Sequence, residues 1–114
     1  MKRTPIRKKS TKQQAIDREL RKVYQEMAET RRHSCSGCGT NQQLSHSHLI
    51  PRSRRRDLVA DINNITYHCL TCHKKWERGV LANELFDYHS NMDYIKSVDE
   101  QYFNIREQKL EKNQ

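Results

Sequence analysis

Long apolar stretches are missing from this 114-residue chain. No run of about 18 apolar residues occurs, so the sequence contains no candidate transmembrane helix. The first ten residues are basic, but no apolar segment follows them, and we therefore expect no secretory signal. Apolar residues make up only 33% of the chain, which is little to offset the conformational entropy lost on folding. A domain of this composition needs a further source of stability.

Cysteine is scarce as well, but its placement is informative. All four cysteines fall into two C-x-x-C pairs, formed by Cys35, Cys38, Cys69 and Cys72. At this spacing one tight turn presents two thiolates to a tetrahedral zinc ion, and Gly37 and Gly39 give the first turn its flexibility. The alternatives are two disulfides in a secreted protein, or two unrelated redox pairs. Because we expect no secretion, we predict a reducing, cytoplasmic compartment and a structural zinc that contributes folding free energy.

Charge is distributed unevenly along the chain, whose net charge is +8. Residues 1–32 hold 11 basic and 4 acidic residues, residues 33–79 hold 7 and 3, and residues 80–114 hold 4 and 7. The basic first two-thirds favour a polyanion as partner, with nucleic acid as the leading candidate. A basic segment that only aids solubility is the alternative. For the acidic tail we predict a protein partner or self-association.

The N-terminal third is interpreted as an arm followed by a helix. Residues 1–10 are typical of a disordered basic arm. Thr11 and Gln14 form a candidate capping box. The pattern that follows predicts a helix over about 12–31, and we assign residues 11–32 to the N-terminal helical segment. Its apolar stripe has helical spacing and consists of Ile16, Leu20, Val23, Tyr24 and Met27. We expect this stripe to pack against the core.

The middle of the chain predicts a strand, a loop, a second strand and a helix. The first strand spans 42–50 and is ended by Pro51, and the second spans 65–68. The helix runs over about 70–78, with Gly79 as its terminating residue.

The acidic tail predicts two more helices, over about 80–89 and 93–111. We place the break between them at Ser90 and Asn91, because a polar pair there separates two apolar patterns.

Three residues inside the cysteine frame carry a recognisable pattern. They are His48 in His-Leu-Ile-Pro-Arg-Ser, Asn64 in Asn-Asn-Ile, and His73 directly after the second cysteine pair. In order and spacing, residues 33–79 resemble the HNH nucleases. The resemblance implies an α+β fold, with a small zinc-stabilised ββα-metal core and flanking N- and C-terminal helices. It also implies a metal-dependent endonuclease that nicks or cuts DNA, of phage or bacterial origin.

Each of these residues has a predicted role and a plainer alternative. His48 is the predicted general base, because imidazole titrates near neutral pH. Alternatively, its ring only hydrogen-bonds the neighbouring backbone. Asn64 is predicted to bridge the loop and to orient the imidazole of His48. An ordinary turn asparagine explains Asn64 nearly as well, since Asn63 stands beside it.

A catalytic cation is predicted on the helix that follows the second cysteine pair. His73 and Glu77 are four residues apart, so their side chains share a face and could hold one ion. The resemblance implies Mg²⁺ or Mn²⁺, and imidazole would also suit Ni²⁺ or Zn²⁺. Many HNH proteins have Asp before the first histidine, where this chain has Ser47, a poor ligand; His46 is the predicted substitute, since alternate strand residues share a face. Alternatively, Glu77 pairs with a surface lysine and His73 packs beside the zinc.

Basic residues near the site and in the arm are predicted to contact DNA phosphates. They are Arg52, Arg54, Arg55, Arg56, Lys8 and Lys9. A solvated charge run is the alternative for the four arginines. The rival function is a non-catalytic zinc module that binds nucleic acid and a protein partner, which Ser47 favours. A third possibility is an interaction protein that assembles through its helices.

Overall fold

The computed structural model describes residues 10–112, with side chains up to residue 110. Within that range the chain forms a small α+β fold with one two-stranded antiparallel sheet and four α-helices. In chain order the elements are α1 (Thr11–Thr30), β1 (Leu44–His48), β2 (Ile65–Cys69), α2 (Leu70–Arg78), α3 (Tyr88–Val98) and α4 (Glu100–Lys112). None of these helices has both the length and the apolar character needed to cross a membrane.

Helix α1 covers one side of the sheet with the predicted apolar stripe. Val23 and Met27 are buried against Ile65 and Tyr67 of β2, so the stripe packs against the core as predicted. The predicted capping box at Thr11 is wrong. The cap is one residue earlier, because the Ser10 hydroxyl accepts a hydrogen bond from the Gln13 amide and Thr11 already lies inside the helix.

The two strands pair in an antiparallel register that decides which side chains share a face. His48 lies opposite Ile65, and Leu44 lies opposite Cys69. All five residues of β2 are buried, because the sheet is covered on both sides. The first strand is shorter than predicted; Gln43 adopts a positive φ of 55° just before it begins.

Helix α2 follows β2 without a connecting loop and has the predicted bounds. Cys69 caps its N-terminus, since the thiol accepts from the Cys72 amide at 3.5 Å. Gly79 ends the helix in the left-handed conformation, with φ of 79°, as predicted. The ββα order predicted for the middle of the chain is therefore present.

The predicted helices of the acidic tail are wrong in their bounds. Ser90 and Asn91 lie inside α3, and the break falls at Asp99 instead. The carboxylate of Asp99 accepts from the Tyr102 amide at 3.1 Å, which caps the start of α4. Only a short 3₁₀ turn, Ala82–Glu84, forms where the first tail helix was predicted.

Helix α3 packs against the ββα unit. Met92 and Ile95 of α3 join one buried cluster with Trp76 of α2 and Leu49 beyond β1. Trp76 is 1% exposed, and its indole N–H donates to the Leu49 carbonyl at 3.2 Å. The described part of the tail therefore completes the core.

Candidate active site and metal centre

The two cysteine pairs meet at one end of the sheet. Their four Sγ atoms all lie within 4.8 Å of one another, and none of the four forms a disulfide. The Sγ atoms of Cys38 and Cys69 are 3.7 Å apart, whereas a tetrahedral zinc with bonds of about 2.3 Å separates its sulfurs by about 3.8 Å. The cluster therefore has the dimensions of a zinc site and could hold that ion.

Backbone geometry explains the glycines of the first cysteine turn. A Cβ at Gly37 would lie 3.0 Å from the Cys72 Sγ, so only glycine lets the turn approach the second pair this closely. Gly39 has a φ of 86°, which side chains disfavour.

Local hydrogen bonds favour a thiolate at Cys69, even though burial acts in the opposite direction. Burial of this thiol raises its pKa, but the hydrogen bond from the Cys72 amide and contacts with the other three cysteines bring the pKa down to about 7. A thiolate is the form that binds a metal.

A cleft of about 410 Å³ lies beside the sheet and gathers several of the predicted site residues. Its lining includes His46, His48, Arg52, His73 and Glu77. The strand and the helix both contribute, because β1 turns the alternate residues His46 and His48 to one side and α2 presents two residues one turn apart. The two histidines expected to cooperate, His48 and His73, therefore face one space.

One ring nitrogen of His48 is held by the backbone. Its Nε2 lies 2.8 Å from the Val59 carbonyl oxygen. A carbonyl can only accept, so in the neutral ring Nε2 carries the proton and Nδ1 is the basic nitrogen. The backbone contact considered as an alternative therefore exists, and it occupies only one of the two ring nitrogens.

Asn64 is buried and bridges the loop between the strands. Its side-chain oxygen accepts from the Ile50 amide at 2.8 Å, and its nitrogen donates to the carbonyls of Ile50 and Leu58, both at 3.1 Å. The hydrogen bonds of the Asn64 side chain therefore go to the loop backbone and not to the His48 ring. Asn64 holds the loop whose Val59 carbonyl binds the His48 ring, so any effect on the imidazole passes through the backbone.

His73 is oriented by contacts at both ring nitrogens. The Ser45 hydroxyl donates to the His68 carbonyl at 3.2 Å and lies 2.9 Å from His73 Nδ1. His73 Nε2 lies 2.8 Å from Glu77 Oε1, and because a carboxylate can only accept, this contact needs either a proton on Nε2 or a cation bound by both atoms. In the cation-bound form Nδ1–H would donate to the Ser45 hydroxyl, as metal-binding histidines commonly donate their other N–H. His73 and Glu77 could thus hold a cation through Nε2 and Oε1.

The third predicted cation ligand, His46, is engaged elsewhere. Its ring stacks on Tyr24 of α1 with centroids 3.7 Å apart. Burial, followed by the nearby His48 and His33, lowers the pKa of His46. In the described part of the chain, the four cysteines are the only group of three or more His, Cys, Asp or Glu residues whose ligand atoms converge. His46 therefore does not complete a three-ligand site with His73 and Glu77.

Ser47 is fully buried on the face of β1 opposite His46 and His48. Its hydroxyl has no hydrogen-bond partner in the described structure. The side chain that precedes His48 is thus turned away from the cleft.

In the arginine loop that follows β1, two of the four arginines bind carboxylates of the protein, and the other two lie at the cleft or in solvent. Arg54 donates to both carboxylate oxygens of Asp99, at 3.1 and 3.2 Å, and Arg55 binds Asp57 at 2.9 and 2.8 Å. These two side chains therefore have carboxylate partners already. Arg52 lines the cleft, where it also contacts Gln13 of α1, and Arg56 is exposed. The predicted phosphate contacts Lys8 and Lys9 lie outside the described residues.

Two residues from the tail form part of the cleft wall and were missed by the sequence analysis. They are Tyr102 and Arg106 of α4. A single arginine in a helix with three acidic and three basic residues is not distinctive by itself. The signal that could have pointed to it is the apolar pattern of the tail, which requires α4 to pack against the ββα unit.

No protein-family model matches this chain, and the searches of curated proteins and of solved structures returned no match either.

Proposed function

We propose that this protein is a metal-dependent endonuclease of the HNH type that hydrolyses phosphodiester bonds in DNA. The observation that carries the proposal is the shared cleft, which His48 of β1 lines together with His73 and Glu77 of α2. Phosphodiester hydrolysis needs a base that activates water and a positive charge near the leaving oxygen. The cleft offers candidates for both, and the pattern of residues 33–79 resembles the same enzymes.

In the proposed reaction His48 is the general base. Its Nδ1 takes a proton from a water molecule, and that water attacks phosphorus in line with the departing 3′ oxygen. The Val59 carbonyl keeps the proton on Nε2 and the ring in place. Asn64 is a positioning residue, because it fixes the loop that carries this carbonyl.

A divalent cation fits the pair formed by His73 and Glu77. Their Nε2 and Oε1 atoms are 2.8 Å apart, close to the separation of about 3.0 Å between neighbouring ligands of an octahedral ion with bonds of about 2.1 Å. Mg²⁺ commonly takes one or two protein ligands and fills its other positions with water and phosphate oxygens. When bound, such an ion would stabilise the charge on the leaving oxygen.

DNA is the proposed substrate because the molecule is basic where the cleft opens. The net charge is +8, Arg52 lies in the cleft, and Arg56 is exposed nearby. The polar face of α1 adds the exposed residues Arg18, Arg21 and Lys22. Such charges attract the phosphate backbone without reading the base sequence.

The test is cleavage of supercoiled plasmid with no added cation and then with Mg²⁺, Mn²⁺, Ni²⁺ or Zn²⁺. Cation omission is used instead of a chelator, because a chelator would also strip a zinc held by the cysteines. We expect cleavage with at least one cation, and a rate about 10²–10⁴-fold lower for His48→Ala. His89→Ala, which removes an exposed histidine of α3, is the matched control and should cleave normally. Equal rates for His48→Ala and the unmodified protein would refute the mechanism.

A second function is favoured by the position of Ser47. Because that residue faces away from the cleft and His46 does not join His73 and Glu77, the protein could be a non-catalytic zinc module that binds nucleic acid. This function predicts DNA binding with no cleavage under any of the four cations.

A further inference from the structure

Arg106 is a buried cation in the wall of the histidine cleft. The residue is 7% exposed, and its guanidinium carbon lies 3.7 Å from the centroid of the Trp76 ring. One terminal nitrogen donates to the Trp76 carbonyl at 2.7 Å, and the other lies 3.5 Å from the Tyr102 hydroxyl. The stacking and these two bonds hold the plane of the guanidinium in one orientation at the cleft.

No carboxylate neutralises this charge within the described residues. Arg54 and Arg55 each have an aspartate partner, whereas no described Asp or Glu side chain, within residues 10–110, forms an ion pair with Arg106. A guanidinium has five N–H donors, and only two are used here. Burying a charge without a counter-charge is costly, which is why buried ions are normally paired. Within the described residues the guanidinium of Arg106 therefore has N–H donors left that an anion in the cleft could accept from.

The cleft contains what an anion needs and little that would repel it. Arg52 supplies a second cation, and the only carboxylate in the lining, Glu77, is occupied by His73. A planar guanidinium can donate two parallel hydrogen bonds to two oxygens of one phosphate group. It therefore suits a phosphodiester better than the single ammonium group of a lysine does.

We propose that Arg106 binds a phosphodiester group in this cleft and holds it beside His48. The residue lies on α4, outside the segment that resembles HNH nucleases. The identity of this phosphate as the one that is cleaved depends on the proposed nuclease function, whereas anion binding at Arg106 does not.

Trp76 is the only tryptophan of the chain and lies under the Arg106 guanidinium, so its fluorescence reports directly on the site. The probe is a thymidine dinucleotide, which has one phosphodiester. Its neutral methylphosphonate analogue has the same sugars and bases without the charge. Inorganic phosphate is titrated separately at constant ionic strength. We expect a saturable change in emission with the dinucleotide and binding at least about tenfold weaker for the neutral analogue.

Variants locate the binding to Arg106. Arg106→Gln should abolish binding of the dinucleotide, and Arg106→Lys, which keeps the charge but not the fork, should weaken it about tenfold. Arg32→Gln, which changes an exposed arginine outside the cleft lining, is the matched control and should bind normally. Because Arg106→Gln also changes the surroundings of Trp76, ligand-detected NMR repeats the measurement for each variant. Thermal melting and zinc content show which variants fold. If Arg106→Gln does not fold, the test depends on Arg106→Lys.

The outcomes separate this proposal from the nuclease proposal. Equal binding of the charged and neutral dinucleotides, or unchanged binding by Arg106→Lys, would overturn the phosphodiester site. Binding of inorganic phosphate alone would also overturn it, in favour of a pocket for free phosphate. If the dinucleotide binds through Arg106 while plasmid stays intact with every cation, the site stands and the nuclease function fails.

Discussion

The ββα unit, residues 33–79, and the C-terminal pair of helices α3 and α4 are held together by different means. The ββα unit is fastened by contacts specific to single atoms: four thiols at one point and the side chain of Asn64 across a loop. The C-terminal pair is attached by apolar burial and by arginines, since Asp99 binds Arg54 and Arg106 stacks on Trp76. In the C-terminal pair each apolar contact contributes only a small part of the stability. We therefore expect a single substitution to lower the free energy of unfolding more in the ββα unit than in the C-terminal pair.

The largest effect is expected from Cys69→Ser, which removes one metal ligand and the cap of α2. A structural zinc contributes much of the folding free energy of a small domain, so the loss should approach the whole stability of about 5–15 kcal/mol. The measurements are thermal unfolding and zinc bound per chain. Thr71→Ala changes an exposed residue inside the same C-x-x-C and should leave both values unaltered. Unchanged melting and metal content in Cys69→Ser would show that the four cysteines are not the main source of stability of the ββα unit.

A substantial but smaller effect is expected from Asn64→Ala. This change deletes three hydrogen bonds and leaves buried backbone groups of Ile50 unpaired, at a cost of about 3 kcal/mol. Its neighbour Asn63 is exposed, so Asn63→Ala should cost less than about 0.5 kcal/mol. Denaturant unfolding of the two variants gives both numbers. Equal costs would mean that Asn64 acts as an ordinary turn residue.

The difference between the ββα unit and the C-terminal pair of helices also explains how much of each could be predicted from the sequence. The ββα order and the end of α2 at Gly79 follow from signals within a few residues of each position, such as the apolar periodicity and the terminal glycine. His48 and His73 face one cleft because β1, which carries His48, lies against α2, which carries His73.

The tail could not be predicted in the same way. The break at Asp99 depends on a carboxylate that caps α4 and also meets Arg54, which is 45 residues away in the chain. Charge counting took the arginine loop as one surface, although Asp57 and Asp99 occupy two of its four side chains. Arg106 reaches the cleft only because α4 packs against the ββα unit. Long-range polar pairing of this kind leaves no periodic pattern.

The smallest effect is expected from Asp99→Asn, which tests the attachment of the C-terminal pair. The hydrogen-bonded Arg54 guanidinium holds the pKa of Asp99 below its ordinary value, so the residue is charged at neutral pH. Asparagine keeps an oxygen that can cap α4 but loses the ion pair, and because solvent screens this pair, the loss of stability by denaturant unfolding at pH 7 should be well below that of Asn64→Ala. Asp93→Asn, an exposed aspartate on α3, should cost almost nothing. A loss as large as that of Asn64→Ala would mean that both regions are held by single polar contacts. Equal stability of the two aspartate variants would mean that the pair of Asp99 and Arg54 contributes nothing to the attachment of α3 and α4.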